Sequence, residues 1–235
     1  RANPQGQNTT INEGDRISVR NLGYELFPEG TASSSEIKVD SIHTFRKRSG
    51  ENLIMRTQNK NVEYYDATSL QWELIATSTN SGEVYGFADY NINTDLTSRV
   101  YFGNNTDNAR HWSGSHTYLT IAATSSAEVL FVAETADSLI FPATGSIMVC
   151  GAIVNYTAKT TTTFTVASST VPVCPIDSGI AEMPVQLSLV PKGNIYLVSS
   201  NRLFISGIAS TTQLVYFSAY ADASNFSAAA IVSAS

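Results

Sequence analysis

The chain has 235 residues, of which 43% are hydrophobic and 14% charged, with a net charge of −6. That length bounds it to one large or two modest domains, and an apolar content this high with so little net charge excludes a disordered chain. The absence of a Lys/Arg stripe excludes a nucleic-acid binder, and the absence of any run of about 18 apolar residues excludes a helical membrane insertion.

The low charge is made up by Ser, Thr, Asn and Gly, while Thr, Tyr, Val and Ile are abundant. Branched and aromatic side chains suit a pleated surface, so the composition favours sheet over helix. The chain begins at Arg1 with no signal-peptide pattern, which reads as a processed product or a fragment.

Residues 1–36 are polar and rich in Asn, Gly and Ser, with one apolar patch from Leu22 to Phe27. They read as an N-terminal arm that packs on the body or contacts a neighbour. Residues 37–132 then carry an internal repeat of short alternating runs. In the first copy Leu53-Ile-Met-Arg56, a polar turn, Val62-Glu-Tyr-Tyr65 and a second turn lead to Trp72-Glu-Leu-Ile75. In the second, Val100-Tyr-Phe-Gly103, a polar turn, Ala109-Arg-His-Trp112 and a second turn lead to Tyr118-Leu-Thr-Ile121. At that offset Met55 matches Phe102 and Tyr65 matches Trp112, and a further strand precedes each copy, Ile42 to Arg48 and Val84 to Tyr90. The cluster Arg46-Lys47-Arg48 is expected on a solvated strand face or turn.

Residues 133–184 read as an inserted small β-module, with strands around Gly145-Ser-Ile-Met-Val149, Val154-Asn-Tyr156 and Thr163-Phe-Thr165. Residues 185–235 hold a third copy, Asn194 to Ser199, Arg202 to Gly207 and Leu214 to Ser218, and a C-terminal tail from Ala228. The expected fold is all-β: propeller-like repeated antiparallel sheets, about three recognisable, with an inserted small β-domain. Closed propellers use about four to eight blades, so three leave exposed strand edges. More blades beyond Ser235, completion by neighbouring chains, or a sandwich in place of a propeller would each meet that liability.

Arg99-Val-Tyr-Phe-Gly-Asn104 with Asp107-Asn-Ala-Arg-His-Trp112-Ser-Gly114 resembles blades of β-propeller-like proteins in bacteriophage tails. So does Asn201-Arg-Leu-Phe-Ile-Ser-Gly207 leading to Val215-Tyr-Phe-Ser-Ala219. The inserted segment resembles a small β-module recurrent in phage tail and baseplate-associated proteins, with Thr160 to Thr163 where that module has glycines. The resemblance implies a structural virion protein on an extracellular particle, acting by packing and inter-subunit contacts. Its implied partners are copies of itself, other virion proteins and a host-surface glycan.

Residues that carry chemistry are sparse. His43, His111 and His116 have no Cys or carboxylate at zinc spacing, so no metal site is read from them. Asp89-Tyr-Asn91-Ile-Asn93-Thr-Asp95 offers oxygens at alternate positions for calcium, against the plainer reading of a polar hairpin connection. Ser113-Gly-Ser115-His116 lacks the strand-turn-helix setting of a nucleophile elbow. Glu63, Asp66, Glu73, Asp89, Asp95 and Asp107 are expected in turns and outward strand positions as solubilising groups. Cys150 and Cys174 fit a disulfide and equally two buried thiols. Asn8, Asn104, Asn155 and Asn225 head glycosylation sequons. No catalytic residue and no cofactor is assigned, and the chain is read as non-enzymatic. Two rival functions remain: a secreted carbohydrate-binding or adhesin module using aromatic faces and the Asn104 to Asn108 turn, and a polysaccharide hydrolase scaffold. Loop-borne Asp107 is the early candidate under either.

Overall fold

The computed structural model describes residues 9–12, 16–19, 38–91, 98–134, 141–167, 171–226 and 232–233. Residues 1–35 and 36–235 form separate units. In the first, β1 (Thr9–Asn12) and β2 (Arg16–Val19) pair as an antiparallel hairpin. The apolar patch at Leu22 to Phe27 lies outside the described residues. In the second unit the described residues form only strands, turns and bridges, with no helix, as the composition favoured.

Three four-stranded antiparallel sheets make up most of this unit. The first is a meander of β3 (Val39–Arg46), β4 (Asn52–Gln58), β5 (Asn61–Asp66) and β6 (Gln71–Thr77). The second takes β7 (Gly86–Tyr90), β8 (Arg99–Gly103) and β9 (Ala109–Trp112) in succession. Its fourth strand is β16 (Val185–Leu187), which pairs Val185 with His111. The third contains β17 (Ile195–Ser199), β18 (Arg202–Ser206), β19 (Leu214–Phe217) and β20 (Val232–Ser233). Ser200 and Asn201, with φ of 48° and 56°, turn β17 into β18 in the doubly left-handed conformation whose twist matches a hairpin. Of the C-terminal tail, only β20 lies within the described residues.

Between β9 and β16 the chain builds a six-stranded sheet from β10 (His116–Tyr118), β11 (Val129–Phe131), β12 (Gly145–Val149), β13 (Ala152–Lys159), β14 (Thr163–Val166) and β15 (Gly179–Glu182), in the order β10-β15-β12-β13-β14-β11. It curls into a half-barrel whose edges meet: Leu119 bridges Val132, Ala133 N donates to the Tyr118 carbonyl, and Thr120 N donates to the Phe131 carbonyl. Leu130, Ile147, Val154, Tyr156, Phe164 and Ile180 fill its interior. Of the Tyr118 to Ile121 segment, expected to end the second repeat as a strand, Tyr118 closes β10 and Leu119 bridges Val132 in this sheet, whereas Thr120 and Ile121 form a bend. The strand thus starts earlier than expected, at His116, and its partner lies far along the chain, where local sequence gives no signal. The Thr160 to Thr163 turn closes on hydroxyls: Thr160 N donates to the Thr163 carbonyl at 2.9 Å, and the two Oγ1 atoms are 2.7 Å apart. A disulfide joins Cys150, at the β12–β13 turn, to buried Cys174, with Cα atoms 6.1 Å apart.

The three sheets stack face to face. Phe45, Met55, Val62 and Tyr64 of the first sheet pack on Val100, Phe102 and Trp112 of the second. Ala88, Tyr90, Tyr101 and Ala109 on the other face of the second sheet pack on Tyr196, Leu203 and Ile205 of the third. Trp112 sits 5.2 Å from Tyr64 and 6.4 Å from Phe45, centroid to centroid. The pairings Met55↔Tyr64 and Tyr101↔His111 make Tyr101, not Phe102, the equivalent of Met55. The sequence match was thus one residue out of step, which in a strand means the opposite face. Tyr65 and Trp112 do occupy equivalent positions, facing back along the stack.

Gly86 and Gly103 pair across β7 and β8 beneath the Tyr196 ring, and a Cβ on either would collide with that ring. Gly103→Ala is expected to cost about 1–3 kcal/mol in urea unfolding, and less in a Tyr196→Phe background, where the nearest atom is gone. Replacing both cysteines by serine is expected to cost about 3 kcal/mol from the closed loop alone, checked by unfolding with and without reductant.

Candidate functional site

The histidines and acids singled out in the sequence serve mainly as ties between sheets. His43 Nε2 lies 2.7 Å from Asp89 Oδ1, and its ring stacks on Phe87 with centroids 5.2 Å apart. Arg46 N donates to the other Asp89 oxygen, and Asn91 Nδ2 donates to the Arg46 carbonyl. The Asp89 carboxylate of the calcium reading is therefore spent joining the first sheet to the second, and Asn91 joins them through its amide nitrogen; Asn93 and Asp95 lie outside the described residues. His116 begins β10, with Nδ1 3.0 Å from the Gly114 carbonyl. Among the described residues, no group of three or more His, Cys, Asp or Glu is placed to hold a metal ion.

Several expectations of solvated charge are corrected. Lys47 is buried, its Nζ 2.6 Å from Glu51 and donating to the Gly114 carbonyl at 3.3 Å. Glu63 is buried and paired with Arg56 at 2.7 Å. Asp66 is buried and accepts from Thr68 N. Glu73 accepts from Gly179 N at 3.1 Å, tying the first sheet to the half-barrel, and burial raises its pKa. In a chain with so few charges, these groups satisfy buried backbone and one another instead of covering the surface.

The described cavity richest in chemistry lies at the neck of the insert. It measures about 260 Å³ and is lined by Arg99, His111, Ser113, Ser115, Glu182, Met183 and Val185. Ser113 and Ser115 follow β9 as the chain enters the half-barrel, and Glu182 ends β15 as it leaves. The Ser113 hydroxyl donates to Glu182 Oε2 and lies 2.5 Å from Ser115 Oγ, while Glu182 N donates to the Ser115 carbonyl at 3.0 Å. Gly114 takes φ of +77°, and a Cβ there would strike Phe45, Leu53 and Lys47, so this turn admits no larger residue without rearrangement. Burial, and then the charge of Arg99, depress the His111 pKa to about 4, leaving its ring neutral against Tyr101 at 5.4 Å. Among the described residues no hydrogen bond joins His111 to Ser113, whose hydroxyl is instead directed at Glu182. The geometry is that of a clasp holding the two neck strands together.

Asp107, the early loop candidate, is fully engaged. Its carboxylate accepts from Ser78 Oγ, Thr79 N and Oγ1, and Asn104 Nδ2, the last at 3.0 Å. Despite some desolvation, these donors lower its pKa to about 2. Asn104 is fully buried, so its sequon is closed to a glycan, whereas Asn155 and Asn225 are exposed and Asn8 lies outside the described residues. Beside this turn, Asn105, Leu189, Lys192, Thr211 and Tyr216 line an open groove of about 590 Å³. Sequence reasoning missed the neck and the groove because both depend on β16 and its flanks returning to the second sheet. Comparison with known proteins finds no matching family model, curated protein or solved structure.

Two pH windows follow. His111 has a folded pKa below its unfolded value of about 6.5, so its contribution is present above that value and is lost as pH falls toward 4. Asp107 acts the same way at lower pH, between about 4 and 2. Unfolding free energy measured against pH should lose the upper segment of its slope in His111→Gln and the lower in Asp107→Asn. Asp107→Ala should also cost about 1–2 kcal/mol at neutral pH, solvent screening trimming the value of its charged hydrogen bonds.

Proposed function

We propose that this chain is a structural component of a virion, a phage tail or related surface assembly, working through sheet packing and contacts between copies, without catalysis. In this reading the three meanders are propeller-like blades and the half-barrel is the inserted module. The observation that carries it is the stack itself: each internal joint buries aromatic faces, while both end faces leave large aliphatic side chains, Ile42 at one end and Ile195 and Leu197 at the other, open to solvent. The Arg99 to Gly114 and Asn201 to Ala219 segments that resemble phage-tail blades form strands of the second and third sheets. The Cys150–Cys174 disulfide fits an extracellular particle, since such bonds persist in oxidising surroundings. Other virion proteins and a host-surface glycan are the further partners this reading implies.

The groove beside the Asn104 to Asn108 turn favours one second reading, a glycan-binding module, because Tyr216 lines it together with amide, hydroxyl and ammonium groups. Immunodetection of the chain in purified particles from its source, with electron microscopy of whatever carries it, tests the first reading. Its presence at fixed copy number in a symmetric assembly is the expected result. A secreted monomer that binds glycans and is absent from particles would replace it with the second.

A further inference from the structure

The strand registers define equivalent positions in the three stacked sheets. On the first strand of each, Ile42, Phe87 and Tyr196 pair with Arg56, Phe102 and Ile205, and all three face back along the stack. Their neighbours His43, Ala88 and Leu197 face forward. Each internal joint sets a large backward-facing side chain against the forward face of the sheet before it. Phe87 lies flat on His43, with the rings 5° from parallel, and Tyr196 sits over Gly86 and Gly103. Tyr196 is 8% exposed in its joint. At the two ends of the stack the same positions are open: Ile42 is 71% exposed and Leu197 60%.

The end faces continue the chemistry of the joints. Behind Ile42 on the first sheet, Tyr65 packs edge-on against Trp72, and the Arg56 guanidinium lies 4.1 Å from the Trp72 ring centre. On the third sheet Leu197 is flanked by Ile195, 58% exposed, and by Phe204 and Phe217, whose centroids are 5.8 Å apart. Arg202 covers Phe217 at 5.3 Å. Both faces thus present aliphatic and aromatic side chains beside an arginine set over an aromatic ring, the arginine of the first sheet being also paired with Glu63.

We infer that these two faces dock on each other between copies of this chain, the forward face of the third sheet in one copy against the backward face of the first sheet in the next. The inference deepens the assembly reading proposed above and rests on it for its biological setting. Continuity with the internal joints selects the occupant. What fits an open backward face in this fold is an open forward face, and each copy carries one of each. Such a contact is head-to-tail, giving a ring if the rotation closes and a filament if it does not. Two copies would bring together six sheets, within the range of about four to eight that closed propellers use.

The test uses the full chain and the exposed positions Ile42 and Leu197. Size-exclusion chromatography with light scattering should give a mass of two or more copies for the native chain, and the 25.3 kDa monomer for Ile42→Glu and for Leu197→Glu. Mixing the two variants should restore one complex of two chains and nothing larger, since each retains the face the other lacks. Circular dichroism and melting temperature unchanged from the native chain would show that both variants fold. As an independent readout, Ile42→Cys mixed with Leu197→Cys should form an intermolecular disulfide under mild oxidation. A monomeric native chain, assembly indifferent to both glutamates, or loss of assembly from only one of them would overturn the inference. Particle association is scored separately: a chain found in particles but monomeric in solution sinks this inference alone, and a head-to-tail complex absent from particles sinks only the virion reading.

Discussion

The body of this protein hangs on the burial of its second sheet on both faces. Val100, Tyr101 and Phe102 follow one another along β8 and are all buried, although a strand sends successive side chains to opposite sides. Val100 and Phe102 serve the joint to the first sheet, and Tyr101 serves the joint to the third. Each buried aromatic contributes about 1.5–3 kcal/mol of transfer free energy, so one short strand anchors two interfaces. The space available to its partners is set in the same stroke, with paired glycines where Tyr196 must lie and Trp112 where the first sheet leaves room.

Electrostatics follows from the same packing. With 14% of residues charged, the chain commits several of its ionisable groups to places where sheets meet, while others, among them Lys38, Lys60, Glu128 and Asp177, stay on the surface. His43 and Asp89 span the first joint, Asp107 gathers donors from the β6–β7 connection and the β8–β9 turn, and Glu73 reaches the half-barrel. Solvation of the surface falls to Ser, Thr and Asn, whose hydration survives changes of salt that would screen a charged coat.

Much of this architecture was legible in the chain. Apart from β16 and β20, the strands of the three sheets, the polar turns between them and the threonine-rich hairpin of the half-barrel were read from alternation and turn chemistry. Two further things were not. Face assignment failed at Met55 because β4 and β8 look alike by content, and only cross-strand register fixes which residues are equivalent. The ownership of Tyr118 to Ile121 failed because that strand bonds to β15, a partner separated from it by most of the insert. The neck cavity and the groove escaped a local reading because both depend on β16 and its flanks returning to the second sheet. Both are assembled from segments that meet only after the half-barrel is complete, so neither had a local motif to betray it.

The position of the half-barrel has an evolutionary consequence. Its entry and exit flank one antiparallel pair, β9 and β16, whose ends a tight turn would suffice to join, so the excursion amounts to an enlarged hairpin loop. Loops of that kind accept whole modules because their two ends are already held side by side. Descendants of the chain can therefore exchange, enlarge or lose the module while the stack keeps its register. Variation in whatever the module meets and constancy in how the stack holds together become separate evolutionary variables.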